Sequence, residues 1–225
     1  MDYSGFAAGV SKVPSLWQYG VHAFPDLATG SPAGYPALSL KPFSEETSRA
    51  AKIYGGRKWG ALGLEWQLAA LGQFPMGFEI AGDFGAALNR TSDNGGPVPG
   101  RMYERGNIDI LAPAISGTYT KDIGNLSLMA KLGLAMPITQ TNTMSTYDLN
   151  FPSKEHGNVA KNHAFVSLAP LFGLSATYPL NKDWKARLEA EHYKDVQVSN
   201  SHDPAYKDKK RTGINSLWFG LERAF

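Results

Sequence analysis

The sequence predicts an all-β fold. The expected form is one eight-stranded antiparallel up-and-down barrel that crosses a membrane, with short turns at one end and long loops at the other. Three observations carry this reading. Apolar residues recur at period 2 rather than at helical spacing, connections alternate between short and long, and aromatic residues stand beside the short turns.

Composition alone points elsewhere. The chain has 225 residues, 43% hydrophobic, 12% aromatic and 19% charged, and 22 Lys+Arg against 20 Asp+Glu leave a formal +2. That near balance gives no electrostatic reason to expect nucleic acid as a partner. No window holds 18 uninterrupted apolar residues, which excludes a helical span. No basic segment followed by an apolar run opens the chain, so a targeting segment is expected to be absent from the sequence as it stands. With no cysteine there is neither a disulfide framework nor a thiolate metal site.

The clearest alternation sets Leu62, Leu64, Trp66, Leu68 and Ala70 against Gly63, Glu65, Gln67 and Ala69. Leu126, Leu128, Ala130, Leu132 and Leu134 alternate with Ser127, Met129, Lys131 and Gly133, and Ala186, Leu188 and Ala190 with Arg187, Glu189 and Glu191. The last run sets Leu217, Phe219 and Leu221 against Ser216, Trp218, Gly220 and Glu222. Residues two apart share a face, so each run has one apolar face and one small or charged face. Short turns fall at Arg57–Gly60, Thr120–Gly124 and Asn181–Trp184. Long Pro/Gly-rich connections fall at about 12–47, 75–104, 137–163 and 197–212. They divide the chain into strands at roughly 2–11, 48–58, 60–73, 105–119, 125–136, 164–180, 184–196 and 213–225. Within 75–104, Phe78, Ile80, Gly82 and Phe84 alternate as well, and are expected either to loop or to extend a hairpin above the sheet. No linker or repeat divides the chain, so residues 1–225 are expected to form one domain.

A soluble barrel buries the apolar face and a membrane barrel turns it outward; alternation does not separate the two. Strand length is one discriminator, since a tilted membrane strand needs roughly 9–11 residues and these runs reach 11–17. Turn asymmetry, the placing of Trp59, Tyr119, Tyr178 and Trp184 beside turns, and a last strand running to Phe225 agree with the membrane form. Lys52, Lys131 and Arg187 then face the lumen with Glu65, Glu189, Glu191 and Glu222. Buried charges persist only when paired, so a cross-lumen ion-pair network is expected, either as a structural polar core or as a gate.

Several of these segments resemble the eight-stranded transmembrane domain of the OmpA-like outer-membrane protein family. Ala51-Lys-Ile-Tyr-Gly-Gly-Arg57 followed by Ala61-Leu-Gly-Leu-Glu65 is similar to that family's second hairpin, and Arg187-Leu-Glu-Ala-Glu-His-Tyr193 to its seventh strand. Ser216 to Phe225 resembles the outer-membrane assembly signal through Leu217, Phe219, Gly220, Leu221 and Phe225, although Arg223 stands where the family usually carries an aromatic. The resemblance covers the strands and none of the loops. It implies a bacterial outer-membrane location, a monomeric or weakly associating barrel, contact with the barrel assembly machinery during biogenesis, and a structural, surface-interaction or narrow-pore role. The family's peptidoglycan-binding domain has no counterpart here, so wall tethering is not implied.

The remaining candidates are weaker. The five histidines show no metal-ligand spacing, so neither metal nor other cofactor is expected. His163 with Ser167, and Ser199 with His202 and Asp203, offer the residue types of a lipid A-modifying enzyme, but at spacings that read better as loop polarity. The i, i+2 pair Glu189/Glu191 reads as a salt-bridge ladder rather than a catalytic pair, so the chain is not expected to be an enzyme. Lys207, Lys209, Lys210 and Arg211 are the one basic cluster, a solvated face or a contact for lipopolysaccharide phosphates. Trp17, Tyr19, Phe24, Tyr35 and Phe43 lie among five prolines in the first long connection, which is expected to pack over the barrel mouth, meet lipid or bind a surface partner. A soluble lipocalin-like binder is the remaining alternative.

Overall fold

The computed structural model describes residues 2–13, 38–44, 46–83, 99–149, 155–199 and 210–225. Among the described residues eleven strands form, in chain order β1 (Asp2–Lys12), β2 (Leu38–Ser44), β3 (Thr47–Trp59), β4 (Leu62–Asp83), β5 (Pro99–Ile123), β6 (Leu126–Ala135), β7 (Ile138–Leu149), β8 (Glu155–Val166), β9 (Ala169–Pro179), β10 (Trp184–Ser199) and β11 (Lys210–Ala224). Eight of them close into an antiparallel ring, β1-β3-β4-β5-β6-β9-β10-β11, sealed where β11 returns to β1 from Tyr3↔Ala224 to Lys12↔Asn215. A closed ring pairs every strand on both sides and leaves no edge.

The ring matches the eight expected strands in order, although the sixth, expected at 164–180, runs from Ala169 to Pro179 and residues 164–166 belong to β8; two expected loops are strands. Segment 137–163 is not one long loop: β7 and β8 pair with each other, and β7 pairs with β5 from Gly100↔Leu149 to Leu111↔Ile138. Part of 12–47 forms β2, which pairs with β4 from Leu38↔Gly82 to Ser44↔Met76. In 75–104, β4 and β5 stay paired out to Asp83↔Pro99, so the hairpin extension is the form observed. A five-stranded sheet, β2-β4-β5-β7-β8, thus continues above the ring. At 25 residues, β5 is about 80 Å long. Proline explains why β6–β7 did not read as one run. Pro137 has no N–H for the ladder, yet Met136 N–H still reaches Pro113 O (2.8 Å) and Ser167 N–H reaches Pro137 O (3.0 Å), so the sheet continues across the break.

Register slips on β4 and β10 shift the inward phase. On β4 the register slips between Ala70 and Gly72, so Glu65, Gln67, Ala69 and Leu71 face inward before it and Phe74, Met76, Phe78 and Ile80 are buried after it. Gly72 has φ +115, and a Cβ there would lie 2.6 Å from Arg49 O, so the bulge requires glycine. On β10 the slip lies between Tyr193 and Val196, with Asp195 at φ 58. The short turns are tighter than the sequence suggested: β3 runs to Trp59 and β5 to Ile123, and Gly60 and Gly124 take positive φ in the turns.

The outside of the ring is apolar. Leu132, Leu174, Phe219, Leu188 and Ile53 are all more than half exposed, as are Trp59, Tyr119 and Tyr178 near the turns. The inside has two layers. Nearer the short turns lie the charges. Farther from the turns on their own strands, Val13, Leu71, Phe74, Ile108, Leu171, Val196 and Ile214 are all fully buried in one apolar cluster. This apolar plug did not show as a lumen feature in the sequence, and the expected charge-filled lumen occupies only one end.

Candidate functional site: the charged layer of the lumen

All seven charged residues assigned to the lumen by alternation are buried, Lys52 included. They come from β3, β4, β6, β10 and β11, so no short stretch of sequence contains the site. Arg187 is its hub. Its Nη1 lies 2.7 Å from Glu65 Oε2 and its Nη2 3.1 Å from Glu65 Oε1, a two-pronged pairing. Nη2 also donates to Glu189 Oε1 (3.1 Å) and Nη1 to Glu222 Oε2 (3.4 Å), while Nε has no partner among the described residues. The guanidinium also lies 4.5 Å from the Tyr54 ring centre, a cation–π contact.

The two lysines bind the other side of the same carboxylates. Lys52 Nζ is 2.5 Å from Glu189 Oε2 and 3.0 Å from Glu191 Oε1, and stands 4.9 Å from the Trp218 ring centre. Lys131 Nζ is 3.1 Å from Glu65 and 2.5 Å from Glu189, and also pairs with Glu191. Its side chain passes over Gly173, where a Cβ would lie 2.6 Å from Lys131 Cε. Any side chain at 173 therefore competes with the lysine for the same space.

Sequence reasoning missed five uncharged members. Lys131 Nζ donates to Gln67 Oε1 (2.7 Å), Gln67 Nε2 to the Tyr193 hydroxyl (2.8 Å), and that hydroxyl to Glu191 Oε2 (2.9 Å). Because Glu191 pairs with Lys131, these four side chains form a closed circuit that fixes the Gln67 amide orientation. Trp218 Nε1 donates to the same Glu191 Oε2 (2.7 Å), and the Tyr3 hydroxyl to Glu65 Oε2 (2.9 Å). Tyr54 adds its ring. Gln67 and Trp218 already lay on the inward side of their alternating runs, which was the available signal.

Three cations thus face four carboxylates, and Glu222 meets Arg187 through the longest of its four contacts. Such a network contributes little net stability against an apolar filling of the same shape, yet loses heavily when one partner is removed. Its stronger effect is on register. Sliding any one strand by one residue would turn its charges onto the apolar outer face and its leucines into the charged layer.

The other candidates lie apart from this layer. His163 is exposed and stacks on Phe165 with ring centres 6.2 Å apart, whereas Ser167 is buried and its hydroxyl accepts the Gln197 N–H (3.2 Å). Leu217 and Phe219 point outward, Gly220 inward, Leu221 is half-buried and Phe225 exposed. Arg211 is exposed on β11, Lys210 begins that strand, and Lys207, Lys209, His202 and Asp203 lie outside the described residues. Phe43 is on β2, and the rest of the aromatic set Trp17 to Tyr35 also falls outside the described residues.

No protein-family model and no curated protein sequence matches the chain. Solved structures do show similarity. Neisserial surface protein A shares 10% identity at TM-score 0.45, covering 100% of this chain and 97% of that one. The attachment invasion locus protein Ail of Yersinia pestis, in complex with the heparin analogue sucrose octasulfate, shares 8% at TM-score 0.41, covering 100% and 99%. The N-terminal β-barrel domain of Pseudomonas aeruginosa OprF shares 11% at TM-score 0.33, covering 98% and 96%. These are likenesses of chain path, at identities too low to align a site residue by residue.

Proposed function

We propose that the chain is an integral bacterial outer-membrane barrel, folded as one domain, with a closed lumen and a raised sheet that presents a surface to the outside. The observation that carries this is the inversion of the ring: leucine, isoleucine and phenylalanine exposed all round it, and three cations with four carboxylates buried at its centre. In water that arrangement wastes apolar burial, whereas in lipid it places apolar surface against acyl chains and satisfies every ladder hydrogen bond within the sheet. An eleven-residue strand such as β1, tilted about 40°, rises about 28 Å, close to the apolar thickness of an outer membrane.

The apolar plug above the charged layer favours a scaffold or surface-interaction role over a pore. Ions entering from the turn end meet a wall of fully buried aliphatic and aromatic side chains. The ion pairs act as a structural polar core, and Leu217, Phe219, Gly220, Leu221 and Phe225 serve as the assembly signal read by the barrel assembly machinery. The raised sheet is the part available to a partner beyond the lipid. A heat-dependent mobility shift in detergent gels, together with spontaneous folding into lipid vesicles, is the expected behaviour. A chain that stays monomeric and folded in buffer without detergent refutes the membrane reading.

A further inference from the structure

The outer surface of the ring carries an oblique groove of about 650 Å³ that crosses β6, β9, β10, β11 and β1. Its floor is backbone, and Ala130 and Ala190 open gaps in one of its walls. One wall is Leu174, Leu217 and Val10; the other is Phe172, His192 and Asn215, ending at Lys12. Four inter-strand steps make it about 19 Å long, the reach of one extended fatty acyl chain.

The upper end of the groove is polar and cationic. His192 Nδ1 and Asn215 Oδ1 are 2.8 Å apart on the outward face. Lys12 stands beside Asn215 across the β1–β11 pair, and exposed Arg49 stands beside Val10 across the β1–β3 pair. Arg211 lies farther up the outward side of β11. The facing acids are Glu46, 4.0 Å from Lys12 Nζ with both side chains well exposed, and Asp195 on the β10 bulge. A pair that long and that exposed exchanges readily for a stronger anion.

We propose that this groove binds lipid A of the outer leaflet, with one acyl chain along the backbone floor past Ala130 and Ala190 and a sugar phosphate on Lys12 and Arg49. The inference rests on the membrane reading above. The polar end lies toward the raised sheet and away from the short turns, which places it at the outer-leaflet boundary. Cations on two adjacent strands suit phosphates held on a rigid sugar better than a single flexible phosphodiester.

Native mass spectrometry of the detergent-solubilised barrel, mixed with equal amounts of diphosphoryl lipid A and phosphatidylglycerol, tests this. The expected result is one lipid A retained per barrel, at least tenfold over phosphatidylglycerol. The double variant Lys12→Gln/Arg49→Gln and the groove-filling variant Ala190→Phe should each lower that occupancy at least tenfold. Equal retention of both lipids, or unchanged binding by the Lys12→Gln/Arg49→Gln barrel, overturns the proposal. If Ala190→Phe fails to fold, the charge variant alone decides. The heat-dependent mobility shift separates the two levels: a wild-type chain without it fails as a membrane barrel, whereas a shifting barrel without lipid A selectivity fails only here.

Discussion

Replacing Arg187 by leucine removes the hub of the charged layer and leaves the rest of the barrel in place. The side chain is about 1% exposed, as is that of Glu65, so solvent offers no screening. Four contacts between 2.7 and 3.4 Å disappear. Glu65 keeps Lys131 and the Tyr3 hydroxyl, and Glu189 keeps both lysines, but Glu222 loses its contact with Arg187. The excess of carboxylates over cations grows from one to two. Removing one partner from a buried network costs about 3–5 kcal/mol. With a urea slope of about 2 kcal/mol per molar, the unfolding midpoint in lipid vesicles should fall by about 2 M. Trp218, which donates to Glu191 inside this layer, makes tryptophan fluorescence a suitable probe. The double variant Arg187→Leu/Glu65→Leu restores the original excess and should recover more than half of the loss. A single-variant shift under about 0.5 M, or a double variant whose loss is the sum of the two singles, refutes the idea of a dry, mutually dependent network.

Further expectations follow from the same geometry. Glu222→Gln removes the carboxylate with the longest contact to Arg187, so vesicle unfolding should show a change of less than about 1 kcal/mol. Leu132→Lys, on an outward position that is 63% exposed, should cost about 2–4 kcal/mol in vesicles, because the charge enters lipid. Gly173→Val should displace Lys131 and lower the urea midpoint by an amount similar to Lys131→Met; a wild-type midpoint contradicts the close approach. In planar bilayers the wild-type barrel should show no discrete openings, and Phe74→Ala/Ile108→Ala should be leakier, since both side chains belong to the fully buried plug.

The alternation of Leu62 to Ala70, of Leu126 to Leu134 and of Leu217 to Leu221 determined the strands and their two faces, because a period of two leaves no other regular structure available. The short turns and their flanking aromatics determined the up-and-down order. Strand extent was harder to read. Pro137 interrupts the pattern ahead of β7 without ending the sheet, and the bulges at Gly72 on β4 and Asp195 on β10 invert the phase that marks inside from outside. The sequence by itself thus set the fold class and which charges turn inward. Which charge meets which, the recruitment of Tyr3, Gln67, Tyr193 and Trp218, and the apolar closure above them were decided by tertiary structure alone. Each of these depends on barrel closure and shear, which bring residues more than a hundred positions apart, such as Glu65 and Arg187, within hydrogen-bonding distance, and no local pattern encodes that distance.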